Sequence, residues 1–112
     1  MSDRVSITVD NGIADVRLNR PEKLNALDQA MFQGIVDAGE GLKVDPTIRV
    51  VVLSGEGRGF CAGLDFGSFQ AMAGAPAPAP AASEPAADAG LDTIGDTGGR
   101  ITHLGQQAAW VW

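Results

Sequence analysis

One cysteine, one histidine and no surplus of basic residues narrow this 112-residue chain before any motif is read. A lone cysteine, Cys61, can close no internal disulfide and build no cysteine metal cage. His103 has no second histidine at metal-ligand spacing and reads as a surface or packing residue. Eight Lys and Arg stand against 14 Asp and Glu, for a formal net charge of −6. No basic stripe is available to neutralise phosphates, so a nucleic-acid partner is not expected. No apolar run approaches the ~18 residues of a membrane span, so no membrane partner is expected either. The opening Met1-Ser2-Asp3-Arg4-Val5 lacks an apolar core behind a basic start and does not read as a signal peptide. The expected location is cytoplasmic. The length allows one small domain at most.

What the chain does have is clear alternation followed by a helical stripe. Val5, Ile7 and Val9 alternate with Ser6 and Thr8, and Ala14, Val16 and Leu18 alternate with Asp15 and Arg17. Asp10-Asn11-Gly12 between them is a hairpin turn signal, because Asn-Gly accepts positive φ at little cost. Val5 to Leu18 is therefore expected to be a half-buried hairpin. The loop Asn19-Arg20-Pro21-Glu22-Lys23-Leu24-Asn25-Ala26-Leu27 follows, and Pro21 disfavours helix at Arg20. Asp28 is placed to cap a helix carrying Met31, Phe32, Ile35, Val36, Ala38 and Leu42 on one stripe. Gly34, Gly39 and Gly41 weaken that helix by roughly 1 kcal/mol each against alanine. Asp45-Pro46 ends it. Ile48 to Leu53 is β-branched and nearly unbroken, the pattern of a strand buried on both faces of a parallel sheet. Strand, helix and strand in this order read as a βαβ unit.

From Ala71 the composition changes. Ala-Pro alternation and then Gly, Asp and Thr give no usable period, so residues 71–99 are expected to form a mobile Ala/Pro/Gly-rich insertion at the surface, with an interdomain linker as the alternative. Asp88, Asp92 and Asp96 read as a solvated run and not as a calcium loop. Ile101, Leu104, Ala108 and Val111 predict a helix over 100–112, which meets Trp110-Val111-Trp112 as if in the middle of a structure.

The chemistry-bearing stretch is Gly59-Phe60-Cys61-Ala62-Gly63-Leu64-Asp65-Phe66, reached just after the strand-like run. A strand ending in a small-residue turn can aim a backbone N–H at an oxygen that gains charge during a reaction. Gly55-Glu56-Gly57-Arg58-Gly59 lacks the Gly-Lys-Ser/Thr ending of a phosphate loop and reads as the approach to that turn. Cys61 lies in the turn, but a nucleophilic cysteine needs a base or an electropositive setting, and neither is evident. Asp65 is expected to stabilise the loop or cap the short helical turn after it.

Two blocks, Leu18 to Leu27 and Arg58 to Asp65, with a helix and a strand between them, resemble the enoyl-CoA hydratase/isomerase (crotonase) family. The resemblance implies an α/β fold, the N-terminal part of a crotonase-like ββα spiral core made of hairpin, helix and buried strand, over residues 1–70. It implies that the Leu64 backbone N–H is one of two oxyanion-hole donors, and that Lys23, Leu24 and Ala26 line a coenzyme A site. Ala62 would meet the adenine or pantetheine portion, and Leu64, Asp65, Phe66 and Gly67 would begin the acyl-thioester pocket. The implied substrate is an acyl-CoA thioester, with coenzyme A as part of the substrate and no separate cofactor or metal. The implied reaction is hydration of a 2-enoyl-CoA, or isomerisation, and full-length relatives form trimers or hexamers. The family's second donor, from a Gly-Gly-Gly-type turn, and its catalytic carboxylates come from later segments. Gly98-Gly99 is no substitute, since it precedes the final helix. The expectation is a truncated N-terminal portion, inactive alone, with a non-catalytic CoA-binding or interaction module as the alternative.

Overall fold

A computed structural model describes residues 3–73 and 104–112 of the chain. Strands β1 (Val5–Asp10) and β2 (Ile13–Leu18) are followed by a 3-10 turn at Pro21–Lys23 and helix α1 (Gln29–Lys43). Strand β3 (Val50–Gly55), helix α2 (Phe66–Ala73) and helix α3 (Leu104–Trp110) complete the described elements. The sheet order is β1-β2-β3. The first pair is antiparallel, from Val5↔Leu18 to Asp10↔Ile13. The second is parallel, from Ile13↔Val50 to Leu18↔Gly55, so β2-α1-β3 is the βαβ unit that the pattern implied.

Turn chemistry sets this register. Asn11 and Gly12 both take positive φ, 49° and 80°, the pair that a two-residue hairpin with right-twisted strands requires. The Gly12 carbonyl then accepts from the Arg49 and Val50 N–H groups, at 2.8 and 3.3 Å. The hairpin turn thus also seats the first residues of β3.

Helix α1 starts where expected. Asp28 is its N-cap, with a carboxylate oxygen accepting from the Met31 N–H at 2.8 Å, and this satisfies one of the orphan donors of the first turn. After the helix, Asp45 accepts from both the N–H and the hydroxyl of Thr47, an alternative to further helical bonding. Met31, Ile35 and Ala38 bury against Val5, Ala14, Val16 and Leu18 to form the core. Each fully buried aliphatic side chain there contributes about 1.5–3 kcal/mol. Two of the glycines that weaken α1 also have a packing role. Gly34 and Gly39 are buried, and Gly39 lets Val111 approach the helix backbone. Helix α3 adds Leu104, and its buried Gln107 donates to Glu40 at 3.0 Å.

Three expectations need correction. Strand β3 begins at Val50 and is not buried on both faces: Val50 to Leu53 keep between 36% and 52% of their surface. It is an edge strand among the described residues, and α1 lies chiefly over β1 and β2. Ile7 and Val9 share a face with Val16 and Ala14, yet stay 38% and 50% exposed, because the core takes up β1 only at Val5. Residues 71–73, expected in the irregular segment, are helical instead, since α2 runs through Ala73. The rest of that insertion, with Asp88, Asp92, Asp96, Gly98, Gly99 and His103, lies outside the described residues, as does the start of the helix expected from Arg100. No described helix is long and apolar enough to cross a membrane.

Candidate functional site

Two loops meet at the C-terminal ends of β2 and β3. The first runs from Asn19 to Leu27. Pro21 keeps Arg20 out of the helical region (φ −144°, ψ 56°), and the 3-10 turn closes with Leu24 and Asn25 at φ 51° and 56°. Left-handed backbone is uncommon for such residues and needs support from its surroundings. Asn25 supplies it. The residue is fully buried; its Oδ1 accepts from the Arg20 N–H at 2.8 Å. Its Nδ2 donates to the carbonyls of Glu56 and Gly59, at 3.0 and 2.8 Å. One side chain therefore holds the first loop in shape and ties it to the second.

The second loop, after β3, is built on glycines at positions that demand them. A Cβ on Gly55 would stand 2.5 Å from the Phe60 carbonyl oxygen and 2.7 Å from Asn25 Nδ2, so the two backbones pass there without room for a side chain. Gly57 and Gly63 take φ of 84° and 94°. Cys61 packs against the core edge, and its Sγ accepts from the Gly63 N–H at 3.4 Å.

Between the loops runs a short parallel bridge, Leu27↔Leu64. The Leu27 N–H donates to the Gly63 carbonyl at 2.7 Å, and the Asp65 N–H donates to the Leu27 carbonyl at 2.9 Å. Ala62 donates to the Leu24 carbonyl at 2.9 Å. The Gly63 carbonyl and the Leu64 N–H belong to one trans peptide and point in opposite directions. Because that carbonyl faces Leu27, the Leu64 N–H faces away from the first loop. It meets no acceptor among the described residues.

The electrostatics centre on Arg20. Its Nη1 lies 2.7 Å from Asp65 Oδ2 and 3.4 Å from Asp28 Oδ2, and all three side chains are largely buried. Asp28 also pairs with Arg4 at 2.8 Å. The other oxygen of each carboxylate caps a helix: Asp28 Oδ1 accepts from Met31, and Asp65 Oδ1 accepts from the Ser68 N–H at 3.1 Å. The Ser68 N–H, and after it the Arg20 guanidinium, hold Asp65 below the usual carboxylate range.

The sequence-named residues fall into two groups. Leu64, Phe66, Gly67 and Ala62 are exposed around the turn, although the Ala62 N–H is already committed. Lys23 is exposed on the 3-10 turn, Leu24 is half-buried, and Ala26 is buried. Asp65 caps the helical turn after it, as its position suggests, and also pairs with Arg20, which its position does not. Arg20, Asn25 and Leu27, which hold the two loops together, carry no sequence signal of that role. An Asn four residues after Pro21 in a polar turn is a signal for left-handed backbone, but nothing local indicates its partners 31 and 34 residues on. Among the described residues no group of three His, Cys, Asp or Glu side chains could hold a metal ion.

Residues 8–91 match the family model for enoyl-CoA hydratase/isomerase. The chain belongs to that family. Among its enoyl-CoA hydratase/isomerase relatives, the 1,2-epoxyphenylacetyl-CoA isomerase of Escherichia coli is 39% identical over 70 residues, which are 62% of this chain and 27% of that one. The hydroxycinnamoyl-CoA hydratase-lyase of Pseudomonas fluorescens is 40% identical over 65 residues, 58% of this chain and 24% of that one. The chain thus spans about a quarter of the length of these relatives. The crystal structure of an enoyl-CoA hydratase from Mycobacterium marinum superposes with a TM-score of 0.60 at 40% identity, covering 65% of this chain and 35% of that one. The fold described above is therefore the N-terminal portion of the crotonase fold.

Proposed function

We propose that the protein acts on acyl-CoA thioesters, with the Leu64 N–H as one donor to the thioester oxygen when that oxygen becomes an enolate. The observation that carries this reading is the direction of that N–H: it is turned outward by the Leu27–Gly63 hydrogen bond and has no acceptor among the described residues. A fixed donor aimed at developing charge needs no reorganisation during the reaction. Phe60, Leu64 and Phe66 leave apolar surface on either side of it, 55%, 43% and 70% exposed, a setting that suits an acyl chain. Lys23, Leu24 and Ala26 on the neighbouring loop, with Ala62, would receive the coenzyme A portion. Phe66 and Gly67 would begin the acyl pocket, and Asp65 would shape it through the cap it makes.

The proposed reaction of the longer family form is hydration of a 2-enoyl-CoA. That chemistry also needs carboxylates to handle the water and the proton. Asp28 and Asp65, the carboxylates beside the turn, are engaged as helix caps and as partners of Arg20. On this reading the 112-residue chain binds an acyl-CoA without turning it over.

The test is crotonyl-CoA hydration by the purified chain, followed as loss of absorbance, with CoA and crotonyl-CoA binding measured by calorimetry on the same sample. Binding without turnover is expected. Turnover far above the uncatalysed rate would overturn the inactivity, and no binding of either ligand by a folded sample would overturn the acyl-CoA reading.

A further inference from the structure

The Leu64 N–H is only as well aimed as the peptide that carries it. That peptide follows Gly63, which sits at φ 94° with no described residue beyond its chain neighbours within 4 Å of where a Cβ would be. Glycine populates both signs of φ readily, so a rotation of this peptide about its flanking bonds meets little local resistance. Such a flip would present the Gly63 carbonyl where the N–H had been, and a carbonyl repels an oxygen that is gaining negative charge. Something outside the turn has to hold the peptide, and the bridge to Leu27 does so directly.

We propose that Arg20 is a positioning residue, which locks the Leu27–Leu64 bridge from both sides and so fixes the direction of the Leu64 N–H. The inference rests on the reading of that N–H as a thioester donor. Its basis is the set of contacts made by one atom. Arg20 Nη1 lies 2.7 Å from Asp65 Oδ2, 3.3 Å from the Ala26 carbonyl and 3.4 Å from Asp28 Oδ2. Ala26 and Asp28 flank Leu27 in the chain, and Asp65 follows Leu64. A single guanidinium therefore grips the neighbours of both bridge partners. The start of the side chain is equally constrained, since the Arg20 N–H donates to Asn25 Oδ1 and its carbonyl accepts from Lys23 and Asn25. Arginine suits this place because its charge is permanent and its donors lie in a rigid plane. A lysine ammonium is a compact charge on a flexible stem, and it can meet Asp65 without reaching the Ala26 side of the bridge.

The test uses the 15N-labelled 112-residue chain, as wild type and as Arg20→Lys, titrated with crotonyl-CoA and separately with CoA, which has no acyl group. In the wild type the Leu64 amide signal should move with crotonyl-CoA and not with CoA. In Arg20→Lys the CoA affinity should stay within about twofold, while the preference for crotonyl-CoA falls by about tenfold or more and the Leu64 response is lost. Amide exchange at Leu27 and Asp65 should accelerate with the protection of α1 unchanged, a pattern that general loosening would not give. A folded variant with the wild-type preference and the wild-type Leu64 response overturns the proposal. If the wild-type Leu64 amide ignores crotonyl-CoA, the thioester reading fails by itself. The positioning role is then decided by exchange alone: selective loss of protection at Leu27 and Asp65 upholds it, and unchanged protection overturns it. Should Arg20→Lys not fold, Asp65→Asn is read by the same measures, since it keeps an acceptor for the Ser68 N–H and removes the ion pair.

Discussion

Gly39 of α1 lies directly beneath Val111: a Cβ built on it would stand 2.5 Å from Val111 Cγ1 and 2.6 Å from Cγ2. Replacing it with alanine gains about 1 kcal/mol of helix propensity. The added methyl must displace Val111 from its seat on the helix, an overpacking that costs about 1–3 kcal/mol. Packing is expected to win, so Gly39→Ala should lower the thermal midpoint. Gly41→Ala supplies the control. No described residue outside its own helix backbone lies within 4 Å of its Cβ position, and it should gain up to about 1 kcal/mol. The two midpoints moving in the same direction would refute the account.

Asn25→Ala should be among the more damaging substitutions in the chain. It unpairs the part-buried Arg20 N–H and the Glu56 and Gly59 carbonyls, and a polar group left unsatisfied costs up to about 1–3 kcal/mol where water does not reach it. It also puts alanine at φ 56°, where Asn25→Gly would carry no such strain. Urea titration of the two variants separates the effects. Both should be destabilised, and the alanine form more so by about 1 kcal/mol.

At Gly63 the conformation matters and the space does not. Gly63→Ala meets no neighbour but places a Cβ at φ 94°, at a cost of about 1–3 kcal/mol if the backbone holds. The backbone is expected to relax instead, so crotonyl-CoA binding should fall far more than the thermal midpoint. Leu64→Ala keeps the N–H and removes only part of the apolar surface beside it, so its loss of crotonyl-CoA binding should be much smaller than that of Gly63→Ala. Calorimetry on both variants checks the contrast.

Asp65 gives the site an acid limit. Its folded pKa is depressed below the unfolded carboxylate value of about 3.9. The stability this contributes is complete above the unfolded value and is lost as pH falls through the folded one. The carboxyl carbon of Asp65, followed by NMR, should titrate below the range of an unfolded aspartate. In Arg20→Gln, which removes the positive charge, that titration should move upward while staying depressed by the Ser68 N–H. An unshifted carboxyl in the wild type would contradict the geometry.

The sequence made the local features legible and the distant ones illegible. Asn11-Gly12, Asp28 and the stripe from Met31 to Leu42 act within a turn or two of the chain, and spacing alone reports them. The two loops of the site were visible as motifs, and so was the role of Asp65 at the start of α2. The grip of Arg20 on Asp65, 45 residues away, and of Asn25 on Gly59 exists only once β2 and β3 are paired. The error at β3 has a related cause. An unbroken β-branched run states a preference for burial on both faces, but whether that burial is met depends on what packs on the strand, and residues 48–53 do not encode it.

The parallel register has a kinetic consequence. The hairpin closes through neighbours in the chain, an event of about 1–10 μs, whereas the β2–β3 ladder joins residues that α1 separates. Contacts of that separation form only after the larger loop has closed. The ladder runs from beside the Gly12 turn, whose carbonyl accepts from Arg49 and Val50, to Leu18↔Gly55 at the other end. Both site loops hang from that end. A chain that zips up from the hairpin would pair last the end that carries both loops.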